Sequence, residues 1–515
     1  MSNVTDETLA LIKEATRAPE TIAKAYTQAL GLVQYNLERP AKLIYPVITP
    51  LRNMIARVPM KGGTAVHWKA ITGINTSDIG GGVEEGRRGG VISTRLVDFT
   101  APFATLGLED YRTFESELAA EGFDDARARM IEGLIRSTMI TEERTILGGN
   151  RTKLLGTPAT PGLADIATGG TIGQTVTVIV SVVALTMDGY RTATAANGIR
   201  TVVNRPNADG TTTIHGGYSS KISAAQTQVT ATDGLTTHRV TGYTAPVAGA
   251  FAFAWFWGPT AGAGQTLGAI TTINSVNMTT PWGVYCITQN AADANLANDN
   301  SRNAYLYDGL LYLIAGAGQQ DGASVSGALL NSQATGVAGV GTSLTADGVG
   351  GVVEIDDDLR AFWETYNLSP DLILVNSQEL RTITNQVMGA GGTPIFRFVL
   401  DGKSQDQAAR AVLDRTVQAG TVVGNYLNKY TMSGGANVRV MLHPSVPPGV
   451  IVYWSSELPY PLSNVSNLVD VALRRDYYQI DWPTISRQYS SGVYSDGVLR
   501  MYFPPAFGMR FNIGA

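Results

Sequence analysis

The chain has 515 residues, of which 44% are apolar and only 16% charged, with a formal net charge of −5. This length provides for about three domains of ordinary size, and the acidic balance excludes a protein that grips nucleic acid through its overall charge. The charge fraction is low against the usual ~25% and implies surface hidden in an assembly, while the single cysteine, Cys286, excludes an internal disulfide and reads as a small buried hydrophobe.

The N-terminus, MSNVTDETLA, is polar and has no signal-peptide core. Residues 1 to about 45 read as a polar helical arm ending at Pro40 and Pro46. Leu9, Ile12, Leu30, Val33 and Leu37 recur at helical intervals but are too few for a core of their own. Residues 47–110 carry a β unit: VHWKAITGIN precedes the glycine-rich Asn75–Gly90 and VISTRLVDFTAPFATL follows it. Gly81 and Gly86 have the spacing of a phosphate-binding loop. Arg87 and Arg88 stand where Lys and Ser/Thr belong, however, and a strand-like rather than a helical segment follows. The stretch therefore reads as the tip of a long two-stranded arm. Such a hairpin is marginal alone in water and needs a neighbour. Glu84 and Glu85 beside Arg87 and Arg88 put a pair of each sign on that tip, which suits a complementary protein contact.

The clearest helix is predicted over Asp124–Leu147. Two aspartates favour its N-terminal dipole end, Met130, Ile131, Leu134, Ile135 and Thr138 form one stripe, and Gly148-Gly149-Asn150 stops it. At 1.5 Å per residue it is a rod of roughly 36 Å. Between about 160 and 300 charged residues thin out. Strands are predicted at Thr175–Leu185, Thr211–His215, Thr236–Tyr243, Ala248–Trp257 and Leu267–Val276, separated by turn signals such as Asn207–Gly210 and Thr232–Gly234. Phe251, Phe253, Trp255 and Trp257 alternate with Ala on the opposite face, save Phe256. Short strands with regular turns suggest an inserted β-sandwich of immunoglobulin type, without that family's disulfide. The most apolar run, Val176–Met187, is too short for a membrane helix, and no membrane partner is expected.

Beyond the insert, VEIDDDLRAFWETYNLSPDLILVNSQELRTITNQVMG reads as helix, strand, helix. The first helix begins at Asp356–Asp358 with Leu359, Phe362, Trp363 and Tyr366 inward, Leu372–Val375 is a buried strand, and Asn376 or Ser377 caps the second helix. Val438–Ala515 reads as strand and turn. No catalytic constellation emerges. His67, His215, His238 and His443 lie far apart without spaced partners, and HExxH, CxxC and GxSxG are missing. The Glu354–Asp358 run lacks EF-hand spacing and reads as a solvated helix N-terminus. Arg474-Arg475-Asp476 and Arg127/Arg129 read as salt-bridged structural groups. No enzyme, cofactor or metal is expected.

Taken in order, these parts resemble the HK97-like major capsid protein of tailed bacteriophages. Four stretches carry the likeness directly: Thr49–Asn75, Glu142–Asn150, Leu344–Glu379 and Arg474–Gly508. The resemblance implies an α+β fold divided into an N-terminal arm (1–61), an E-loop hairpin (62–107), a P-domain with its spine helix (108–160), an inserted immunoglobulin-like sandwich (161–300), a P-domain return with the A-domain (301–440) and C-terminal strands shared by both (441–515). It implies a structural subunit that assembles with itself into pentamers and hexamers of an icosahedral head around double-stranded DNA, held only by weak non-specific contact. Glu84, Glu85, Arg87 and Arg88 would then make inter-subunit contact at the E-loop tip. A scaffolding protein, a portal and decoration proteins are the implied partners. The insert would face outward toward carbohydrate or a host surface, and the location would be the virion, with assembly in the host cytoplasm. Some family members cross-link through an E-loop lysine, but no lysine lies between Ala70 and Pro102, so a shell without cross-links is expected. An adhesin working through the β-sandwich is the competing reading, and it would call for a signal peptide, an anchor or tandem repeats of the domain. A cellular nanocompartment of the same fold is the nearer rival.

Overall fold

The computed structural model describes residues 47–74, 82–121, 123–316, 327–348, 350–389, 424–432, 435–460, 463–484 and 486–514. The arm predicted over residues 1 to about 45 lies outside them, as does the 75–81 part of the glycine-rich tip. The described chain falls into two units, a small one of Tyr111–Met130 with Thr484–Tyr489 and a large one containing the rest.

In the small unit the helix Phe114–Ala120 is capped by Thr113, whose hydroxyl accepts the Ser116 N–H at 3.3 Å. The Phe114 ring tilts against Tyr489 at 4.8 Å, and the Arg127 guanidinium lies 4.9 Å over the same ring. Asp125 caps the start of the long helix Ala126–Gly148 by accepting the Arg127 and Ala128 N–H groups, and Asp124 pairs with Arg129 at 2.6 Å. Along that helix Met130, Leu134, Thr138, Glu142 and Ile146 are buried. Ile135, predicted in the buried stripe, is instead exposed. The buried line follows the i, i+4 ridge and leaves Ile135 one step off it.

Two sheets frame the large unit. A four-stranded sheet runs Ala56–Pro59, Val469–Asp481, Gln488–Met501, Ala104–Thr113, with the first pair parallel (Ala56 opposite Asp470). A six-stranded mixed sheet runs Leu329–Ser332, Gly508–Phe511, Ile451–Trp454, Leu372–Val375, Ala436–Leu442, Asn425–Asn428. Its central strands are buried on both faces. Leu372, Leu374, Val452 and Trp454 enter one core, while Ile373, Val375, Ile451 and Tyr453 enter another with Leu359 and Phe362 of the helix Val353–Tyr366. Such two-sided burial is why LILV and IVYW are continuous apolar runs rather than alternating ones. The helix ends at Asn367, which takes the left-handed conformation (φ 52°) that asparagine tolerates.

The EIDDD run is not the solvated N-terminus expected from sequence. The helix starts at Val353, so Glu354 and Asp358 stand one turn apart on its inner face. Asp358 pairs with Arg510 at 2.6 and 2.7 Å and accepts the Tyr453 hydroxyl at 2.7 Å. Asp356 holds Lys429 at 2.7 Å, and only Asp357 remains on the exposed side, near Arg360.

Between 161 and 300 an antiparallel five-stranded sheet (Cys286–Asn290, Thr266–Thr271, Ala252–Gly258, Thr177–Leu185, Gln226–Val229) and a three-stranded one (Ser275–Met278, Arg239–Tyr243, Gly162–Ile166) share a core of Val178, Val180, Trp255, Trp257, Val240 and Met278. The predicted single strand Leu267–Val276 is two strands. The chain leaves one sheet and joins the other at Asn274, whose amide Nδ2–H groups donate to Thr244 O and Thr335 Oγ1 while Asn512 Oδ1 accepts its N–H. The Ala252–Gly258 strand is also buried on both faces, with Ala252, Ala254 and Phe256 packing into a second core beside Cys286. The Trp255 and Trp257 indoles donate to Thr271 Oγ1 and Thr280 O, both at 2.9 Å.

Candidate functional site: a two-stranded arm with an apolar outer half

The arm pairs Ala65–Ile74 with Thr94–Pro102 in antiparallel register, from Ala65 opposite Pro102 to Ile74 opposite Thr94, with one irregularity between Ile71 and Gly73. It is shorter than the 62–107 span expected, because Ala104–Thr113 has joined the four-stranded sheet. Its root is anchored in the main core by Val66 and Ala101. Trp68 stacks on Phe99 at 5.5 Å and meets Tyr502 edge-on at 6.0 Å. Arg474 lies 5.5 Å over Phe103 and donates to Gly63 O at 3.2 Å.

The outer half has the opposite character. Ile71 and Leu96 are directly opposite each other and 64% and 61% exposed, and Val83, Val91 and Ile92 are exposed beyond them. Lys69 and Asp98 form an exposed pair at 3.4 Å. At the tip, the Arg87 N–H donates to Glu84 O at 3.0 Å, closing a turn in which Gly86 has φ +78°, and the Arg87 guanidinium sits 3.6 Å from the Glu84 carboxylate. Glu84, Glu85, Arg87 and Arg88 are all exposed. Fully burying an Ile or Leu stabilises by roughly 1.5–3 kcal/mol, so a second surface laid on this half would gain several-fold more from Ile71, Leu96, Val91 and Ile92 than from the surface ion pairs.

Sequence reasoning missed what holds the segment leading into the arm. The carboxylate of Glu143 accepts the Leu51 and Arg52 N–H groups at 3.0 and 2.7 Å. Glu142 pairs with Arg52 and Arg57, each at 2.8 Å, and accepts the Tyr477 hydroxyl. His443 Nδ1 accepts the Ser445 N–H at 3.1 Å, so its Nε2–H donates to Glu143 at 2.8 Å. A signal was present: Glu142 continues the Met130, Leu134, Thr138 ridge at i+4. Of the groups expected to be salt-bridged, Arg474 pairs with Asp496 at 3.1 Å, Asp476 with Arg57 at 2.7 Å and Arg129 with Asp124 at 2.6 Å, while Arg475 lies over Tyr478 and Arg127 over Tyr489.

The histidines also depart from expectation, since all four have partners far off in sequence, His67 the weakest with the Thr100 hydroxyl 3.5 Å from its Nε2. His238 is buried with Nδ1 3.0 Å from Asp165 and Nε2 2.9 Å from Asp233. His443 holds Glu143, and His215 Nδ1 lies 3.4 Å from the Asn303 amide. Among the described residues no three His, Cys, Asp or Glu side chains group as metal ligands, and no helix is long and apolar enough to cross a membrane.

No protein-family model matches the sequence, and no curated protein sequence matches it. Over nearly its whole length the chain is similar to solved capsid and encapsulin chains. It aligns with the capsid of the native GTA particle at 9% identity and TM-score 0.40, covering 95% of this chain and 98% of that one. The Mycobacterium phage Bobi chain gives the same identity, coverage and score. The holo-SrpI encapsulin of Synechococcus elongatus aligns at 8% identity and TM-score 0.31, with 94% of each chain covered. At such identities and scores, what the chain does has to be argued from its own residues.

Proposed function

We propose that the chain is an HK97-like major capsid subunit that assembles with itself into the pentamers and hexamers of an icosahedral phage head. The observation that carries this is the arm: a buried root and an outer half whose Ile71–Leu96 pair has no covering surface among the described residues. A hairpin of this kind is worth forming only if a neighbouring subunit covers it. Glu84, Glu85, Arg87 and Arg88 then set register against that neighbour more than they add affinity. The glycines of the tip let it follow changing shell curvature.

The shell encloses double-stranded DNA by weak non-specific contact, and a net charge of −5 is consistent with a wall along which DNA slides. A scaffolding protein and a portal take part in assembly, with decoration proteins as further partners. The 161–300 segment is an immunoglobulin-like insert facing outward, toward carbohydrate or the host surface. With no lysine between Ala70 and Pro102 the shell carries no E-loop lysine cross-links. Negative-stain electron microscopy of the chain, alone and with its gene neighbours, tests the proposal. Angular shells, or rings that close into shells with a neighbour's help, are expected, and a stable monomer under both conditions refutes it.

A further inference from the structure

A cavity of about 340 Å³ opens between the end of the long helix (Gly148, Asn150), the helix Met187–Thr192 and the hairpin Val203–Pro206/Thr212–His215. Its polar groups are Asp188, Tyr218, His215, Asn303, Asn204 and Arg205. Neither the Asp188 carboxylate nor the Tyr218 hydroxyl has a hydrogen-bond or ion-pair partner among the described residues, and both residues are half-buried in the cavity wall, so these groups are open to a ligand that enters it. Burial drives the Asp188 pKa up to about 6, against the pull of Arg191 and Arg144. The His215 pKa is pushed below the ordinary histidine value, by burial first and then by Arg205. The Asn303 amide approaches its Nδ1, which leaves Nε2–H as the donor. Arg205 is engaged with Gly107 O at 3.3 Å.

This inventory selects a ligand. A phosphate would meet the Asp188 carboxylate, and an ammonium or guanidinium would enter a space already bordered by Arg205, with Arg191 and Arg144 acting on the same Asp188. A divalent cation finds one carboxylate only. What remains is a neutral compound with several adjacent hydroxyls, which donate to a carboxylate and accept from an imidazole N–H and amides. The cavity lies at the small end of ligand-pocket sizes. We propose that this cavity binds a neutral polyhydroxy ligand of monosaccharide size, with Asp188 accepting hydrogen bonds from two neighbouring hydroxyls and Tyr218 and His215 completing the ring of contacts. The proposal rests on the reading of the 161–300 segment as a carbohydrate-contacting insert and assigns that contact to one site.

Saturation-transfer NMR on the full chain, titrated with D-glucose, D-galactose, D-mannose and N-acetylglucosamine and with inorganic phosphate and putrescine as charged controls, tests it. At least one sugar is expected to bind saturably. Asp188→Asn, which keeps the shape of the side chain, and Tyr218→Phe, which keeps the wall, are each expected to weaken that binding roughly tenfold or more without lowering the melting temperature or preventing assembly. Sugar binding unaltered in both variants would discard the cavity while leaving a carbohydrate contact elsewhere on the insert. Binding of no sugar, or of phosphate or putrescine in preference, would overturn both readings. Shell formation seen by microscopy is independent of all these outcomes.

Discussion

Glu379 sits buried in the first turn of the helix Ser377–Gly389, with one carboxylate oxygen accepting the Gly449 N–H at 2.7 Å and the other without a hydrogen-bond partner among the described residues. Burial raises its pKa from 4.5 to about 7, the Gly449 bond only partly opposing the shift. A carboxyl whose pKa is raised on folding binds protons in the native state that the unfolded state has released. Its contribution is therefore intact below pH 4.5 and is lost as pH climbs through about 7. Two and a half units at ~1.4 kcal/mol each amount to about 3 kcal/mol between those limits. Glu379→Gln keeps the acceptor for Gly449 and cannot ionise, so its stability should lack this decline. Urea unfolding of the unassembled chain at steps from pH 4.5 to pH 8 measures the difference: the variant should gain on the parent steadily, reaching about 1–3 kcal/mol at pH 8, the lower figure allowing for a buried amide N–H without an acceptor. If parent and variant lose stability in parallel over this range, the carboxyl is not desolvated and the reasoning fails.

Ile71→Asp together with Leu96→Asp should leave the melting temperature of the lone subunit nearly unchanged, since both side chains are exposed, but abolish shells in micrographs. Asp358→Asn breaks a buried pair with Arg510 and should cost about 3–5 kcal/mol in denaturant titrations, whereas replacing both partners by apolar residues should cost much less. The His238 imidazole, raised by its hydrogen bond to Asp233 and then by that to Asp165, should titrate above the ordinary histidine value by NMR. Its stabilising part is complete below pH 6.5 and falls away as pH rises through the native value, so His238→Gln should flatten that part of the profile.

The elements visible in the sequence were those whose signal is local. The arm strands announced themselves through β-branched and aromatic runs on either side of glycines, the long helix through Asp124-Asp125 and Gly148-Gly149, and the central strand 372–375 through an unbroken apolar run. What escaped was set by tertiary partners. Glu354 and Asp358 look like surface charges until Arg510, 152 residues after Asp358, is placed beside them. Glu142 and Glu143 look solvated until Arg52, Arg57 and His443 arrive from both ends of the chain. The same holds for Asn274, where the chain changes sheets because Asn512 holds its backbone, a contact no window around 274 contains. Of the candidate site, the four tip charges could be read directly. The apolar outer face emerged only once the register set Ile71 opposite Leu96.

The strand Gly508–Phe511 lies inside the six-stranded sheet, pairing on one side with Leu329–Ser332 and on the other with Ile451–Trp454. In the four-stranded sheet Ala56–Pro59 likewise waits for Val469–Asp481. On a ribosome neither sheet can close until nearly all of the described chain has emerged, and pairing over such separations is slow. A chain cut short before residue 508 would expose two apolar strand edges, which recruit other strands rather than orderly neighbours. The topology thus makes completion of synthesis a condition for a closed core, and leaves a truncated copy with open sheet edges in place of one.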